Sequence, residues 1–130
     1  IEKAIWNKNK KINFYLPVRT GIISHSAIKV KKNQQKITVN AIRILDLMKL
    51  KKIKYFDIIK LDIEGSEYEV IKDIFECNIS SNYFLIEFDF LKKSNLFLVF
   101  YKLFEILHLI KKNKYKLIFI DNLNFTFKKC

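Results

Sequence analysis

With 130 residues and 15.6 kDa the chain has room for one hydrophobic core, and a content that is 50% apolar and 15% aromatic excludes a disordered tail. Its formal charge of +12, from 25 basic against 13 acidic residues, would suit a polyanionic partner, yet only Arg19 and Arg43 are arginines. A lysine-, isoleucine- and asparagine-heavy composition fits AT-rich coding better than a bidentate reader of phosphate or guanine, so no nucleic-acid partner is expected.

Residues 1–6 read as a short apolar strand, followed by the polar run 7–11. Residues 12–16 are a second strand ended by Pro17, and 18–35 are too polar to pack and read as an excursion. Residues 36–44 alternate well enough to pair with the second strand, and 45–50 form a short helix with Leu45 and Met48 inward. Residues 56–63 are nearly continuous in apolar character, the pattern of a parallel strand covered on both faces. Ser66 and Glu69 then offer a Ser-x-x-Glu capping box to a helix whose Val70, Ile71, Ile74 and Phe75 make one stripe. Residues 83–88 are the next buried strand, which completes a βαβ unit.

Residues 94–112 form a long helix with a wide apolar surface, on which Lys102, Glu105, His108 and Lys112 make one narrow polar stripe. It is too short and too charged to span a bilayer. Two placements remain open for it: packed on a sheet, or lying on a membrane surface, where lysines and aromatics also gather. Strands 116–120 and 123–127, around Asp121 and Asn122, end the chain in a hairpin.

Two glycines, Gly21 and Gly65, leave no glycine-rich nucleotide loop. Cys77 and Cys130 show no CxxC spacing and no cluster with His25 or His108, which argues against a zinc site or disulfide framework and for a reducing, cytoplasmic setting, with membrane association left open. Ile1 is not Met and no signal-like segment follows it, so a processed start and a piece of a longer chain are both compatible with the sequence.

Chemistry concentrates at residues 60–67. Alternation along a strand places Lys60, Asp62 and Glu64 on one face, near the carboxyl end where open α/β sheets bind ligands. Glu67 falls in the first turn of the following helix, at the positive end of its dipole. Such a cluster can act as a general base on a hydroxyl, or Asp62 and Glu64 can hold a divalent cation through hard oxygen ligands. The plainer reading is that these carboxylates tie down loop amides and are neutralised by Lys60. Glu87 and Asp89, at the end of the next strand, would sit beside the cluster and favour a site.

The stretch Phe56-Asp57-Ile58-Ile59-Lys60-Leu61-Asp62-Ile63-Glu64-Gly65-Ser66-Glu67, with Val70-Ile71-Lys72 and Leu85-Ile86-Glu87-Phe88 after it, resembles the central motif of the FkbM-type methyltransferases. Ala41 to Asp46 resembles the segment before that strand, with Ile44 where the family usually has Thr, so the helix start is expected to move to Asp46. The resemblance implies an α/β fold with a class I, Rossmann-like sheet, an inserted β-hairpin and the C-terminal antiparallel hairpin. It also implies S-adenosylmethionine as methyl donor and a hydroxyl on a small molecule or glycan as acceptor. Residues 1–130 would be the C-terminal portion of one catalytic domain, without the glycine-containing donor loop. The strand at 56–63 would then lack its usual neighbour and present an open edge.

By the same resemblance Ala4 and Ile5 would border the adenine. Asp62, Glu64 and Glu67 would face the acceptor and the transferred methyl with Lys60 in support, and Glu87, Asp89 and His25 would contact substrate. Two alternatives stand beside the enzyme: a non-catalytic remnant or interaction module, and a basic protein of the membrane surface that uses the helix at 94–112, in which Glu105 would meet anionic lipid.

Overall fold

The computed structural model describes residues 2–15, 35–92 and 95–130. The polar excursion expected at 18–35 lies almost wholly outside them. β1 (Ala4–Ile5) pairs in parallel with β3 (Lys36–Ile42), and β2 (Lys11–Tyr15) pairs antiparallel with β3, Ile12 opposite Val39. The expected pairing of the second strand with residues 36–44 is therefore present, in a three-stranded sheet ordered β1-β3-β2.

Helix α1 (Ile44–Lys51) starts before Asp46, not at it. Ile44 is buried in the main core, so it is drawn in as the first helical residue. Arg43, extended at φ −72° and ψ 150°, takes the N-cap position. Asn9 braces this start: its Oδ1 accepts from the Arg43 amide at 3.0 Å and its Nδ2 donates to Asp46 at 2.8 Å.

β4 (Phe56–Leu61), α2 (Glu67–Glu76) and β5 (Ser81–Glu87) form the centre. β4 and β5 are parallel, with Ile59 opposite Phe84 and Leu61 opposite Ile86. The stripe Val70, Ile71, Ile74 and Phe75 on α2 is buried over them, as its spacing predicts. The expectation that β4 is covered on both faces is not met. Ile59 and Leu61 are buried, but Ile58 is 57% exposed and Lys60 points to solvent, so the described residues cover one face only. A run without alternation cannot tell one covered face from two when its polar positions are few.

After a 3-10 turn at Asp89–Lys92 comes α3 (Leu96–Lys112), capped by Asn95, whose Oδ1 accepts from the Leu98 amide at 3.1 Å. Hairpin strands β6 (Tyr115–Asp121) and β7 (Asn124–Lys129) follow. β7 inserts between β5 and β6, antiparallel to both, and completes a mixed sheet ordered β4-β5-β7-β6. Among the described residues β4 is one of its two edges, as the sequence led one to expect. The turn sits one residue later than expected: Asp121 still pairs with Asn124, and Asn122 takes φ 52°. The Tyr115 hydroxyl donates to the Ser81 carbonyl at 2.7 Å and accepts from the Ser81 amide at 2.9 Å, pinning β6 to the start of β5.

The polar stripe expected on α3 is divided. Lys102 and Glu105 turn inward toward α2, whereas His108 and Lys112 are exposed. Partners on α2 that the α3 sequence does not display draw the first two in. The whole is a mixed α/β fold of two mixed sheets and three α-helices among the described residues, and no helix is long and apolar enough to cross a membrane.

One ion pair ties α1 to α2. Arg43 Nε and Nη2 donate to Asp73 Oδ1 at 2.9 and 2.6 Å, and the Asp73 side chain is only 7% exposed. Arg43→Ala strands that carboxylate, so a loss of about 1–3 kcal/mol is expected in chemical denaturation. Arg43→Ala combined with Asp73→Asn should recover part of it.

Candidate active site

The register of the parallel strands sets the geometry. Leu61 lies opposite Ile86, so the next side chains, Asp62 on one strand and Glu87 on the other, leave the sheet together at its carboxyl end. Asp89 follows in the 3-10 turn and is buried. One carboxylate oxygen from each of Asp62, Glu87 and Asp89 lies within 4.8 Å of the others. Lys60 Nζ donates to Asp62 Oδ2 at 3.1 Å, with both side chains well exposed.

Glu64 is not part of this group. The strand stops at Leu61, and Glu64 and Gly65 take left-handed backbone at φ 55° and 93°, so the alternation that placed Glu64 beside Asp62 no longer holds. Glu64, expected beside Asp62 as a cation ligand, is thus not among the three acids that converge. The three oxygens that could surround a hard cation belong to Asp62, Glu87 and Asp89.

The capping box is also absent. Ser66 occupies the N-cap of α2 at φ −101° and ψ 5°, a geometry that does not aim its hydroxyl at the helix amides, and its buried Oγ has no hydrogen-bond partner. Glu69 turns elsewhere, toward Asn7 at 3.4 Å and Lys102 at 3.9 Å. Glu67 serves the turn instead. It is completely buried, its Oε1 accepts from the Gly65 amide at 2.7 Å, and its Oε2 has no hydrogen-bond partner. Burial raises its pKa above the ordinary carboxyl value, the backbone amides oppose that rise, and the charge of Asp89 adds to it.

The remaining sequence candidates are dispersed. Ala4 and Ile5 stand on β1 in the other sheet, half-buried and paired with Ala41 and Ile42, and Ile5 packs against the main core. Neither belongs to the acidic group, and His25 lies outside the described residues. A polar cleft of about 520 Å³ lined by Asn7, Arg43, Asp46, Glu69 and Asp73 among others opens elsewhere, and none of the three converging acids lines it.

Sequence reasoning missed the group beside the turn. Lys72 Nζ donates to Glu105 at 2.8 Å, and the Tyr68 hydroxyl donates to the other Glu105 oxygen. Burial first, and then the Glu105 carboxylate, push the Tyr68 hydroxyl up to about 12. The bond from Lys72 holds the Glu105 carboxyl below its usual range. Tyr68 and Lys72 are four apart on α2, a readable signal, but their partner on α3 lies 37 positions from Tyr68.

The family model of the methyltransferase FkbM domain matches residues 3–117. No curated protein and no solved structure matches the chain.

Because its folded-state pKa is raised, Glu67 favours folding least once pH exceeds that value, where the buried group must ionise. The penalty vanishes below the unfolded carboxyl value near 4.3. Glu67→Gln keeps an acceptor for the Gly65 amide. It should therefore melt higher than the parent chain at pH 7–8, with the difference closing as pH falls toward 4, as read by thermal melts across that range.

Proposed function

The chain belongs to the methyltransferase FkbM domain family, and on that premise we propose that it forms the acceptor side of an S-adenosylmethionine-dependent O-methyltransferase site, with Asp62 as the general base. The observation that carries this reading is the convergence of Asp62, Glu87 and Asp89 at the carboxyl ends of adjacent parallel strands. A hydroxyl acceptor on a small molecule or glycan suits three oxygen acceptors in one mouth: two can hold neighbouring hydroxyl groups while the third takes the reacting proton. Asp62 is exposed where Glu87 is half-buried and Asp89 buried, and it is steadied by Lys60, which makes it the one placed for proton transfer.

The donor would supply an electrophilic methyl group on sulfur. The described residues do not offer it a glycine cradle, since the Gly65 amide is engaged by Glu67. In this reading Ala4 and Ile5 would border the donor's adenine, and the roles assigned to the converging acids are orientation of the acceptor and acceptance of its proton. Glu67 maintains the turn, and Glu64 has no assigned part in proton transfer. The same three oxygens could receive a divalent cation, which would then orient the acceptor oxygen.

Asp62→Asn should lower methyl transfer to hydroxylated acceptors by about 10²–10⁴-fold while donor binding, read by calorimetry, stays near the parent value. Unchanged turnover would remove Asp62 from the chemistry. Loss of donor binding together with turnover would show that the residue acts on the donor instead.

A further inference from the structure

Helix α3 places polar groups inside and rings outside. Glu105, its one acidic residue, is held inward by Lys72 and Tyr68, and Lys102 lies inward too, 4.5 Å from the Tyr68 ring centroid. Val99, Ile106 and Ile110 fill the core. On the opposite side Phe97 is 85% exposed, Phe104 75%, Phe100 67% and Tyr101 57%. At about 100° per residue these four rings share a sector roughly 100° wide, and the same sector runs on at the C-terminal end into His108, Lys111 and Lys112, all exposed. Exposed Lys114 and Lys116 follow directly.

We propose that this face of α3 docks on the surface of an anionic lipid bilayer, with the rings at the headgroup–acyl boundary and the lysines at the phosphates. Two observations support that occupant over a second copy of the chain. The face carries aromatic rings and cations, and the one carboxylate at its flank, Glu105 beside Tyr101, is neutralised by Lys72, so the combination is one that an anionic interface attracts. The chain bears a formal charge of +12, so two copies meeting through this face would bring like charges together, whereas an acidic surface complements them. Glu105, the carboxylate that the sequence placed on the lipid-facing side, is paired with Lys72 and Tyr68 at the edge of that side. The proposal stands independently of the methyltransferase reading.

Co-sedimentation of the chain with phosphatidylcholine vesicles, with and without phosphatidylglycerol, tests it. Binding is expected to the mixed vesicles only, weakening as salt is raised. Phe97→Ser with Phe104→Ser should reduce it by about tenfold or more, since affinity follows buried apolar area. Both rings are largely in water, so the double variant should keep the parent's circular dichroism and melting point. Lys111→Gln with Lys112→Gln should weaken binding at low salt and flatten its salt dependence. Absence of binding to mixed vesicles would overturn the proposal, and so would binding indifferent to both double variants. A dimer seen by light scattering and abolished by the Phe97/Phe104 variant, with no vesicle binding, would assign the face to a second copy instead.

Discussion

In the turn between β4 and α2 the Gly65 amide donates to the buried Glu67 carboxylate at 2.7 Å, and the rest of the site depends on that contact. A fully buried carboxyl is tolerated only where donors meet it, and here the donors are amides of the turn itself. In the same turn Glu64 and Gly65 take left-handed backbone, which for a residue with a Cβ costs about 1–2 kcal/mol. That cost is offset where the strand-to-helix reversal is fixed. The reversal leaves Asp62 at the open end of the sheet and sends α2 back over Ile59 and Phe84.

From that turn the site follows by register. Parallel pairing of β4 with β5 sets Asp62 next to Glu87, and the bond from the Phe88 amide to the Leu123 carbonyl at 2.9 Å anchors the exit of β5 against the hairpin. At the other end of β5 the Ser81–Tyr115 pair and the edge-to-face contact of Phe84 with Tyr115, 5.0 Å between centroids, fix the same strand. Glu87 is thus presented from the end of a strand held at both ends, with Asp89 in the 3-10 turn directly after it and Asp62 one residue beyond β4.

The strands and helices were legible where periodicity was strong: the α2 stripe, the parallel strand pair and the closing hairpin all stand where the sequence put them, within a residue or two. Glu64 was misplaced because a period of two was extended past the end of its strand. Gly65 does mark a turn, but nothing in the residue type of Glu64 announces a positive φ. Ser66 and Glu69 have the spacing of a capping box without its backbone geometry, and the neighbouring Glu67 took over the turn amides. The neighbourhood of Asp62 with Glu87 and Asp89 is legible because adjacent parallel strands end side by side, whereas which acids finally converge depends on strand register, which a single sequence does not display.

The orientation of α3 resists the same reading for an energetic reason. Rotating the helix to hide Phe104 would break the contacts of Glu105 with Lys72 and Tyr68. A partly exposed ion pair contributes only about 0–1 kcal/mol, whereas full burial of one phenylalanine is worth roughly 1.5–3 kcal/mol. The pair alone therefore cannot hold four aromatic rings in water. What keeps the helix in place is that Val99, Ile106 and Ile110 already fill the space over the sheet with small aliphatic side chains, where bulkier rings would overpack. The interior selects the aliphatic face, Glu105 fixes the angle, and the rings are left outward by exclusion.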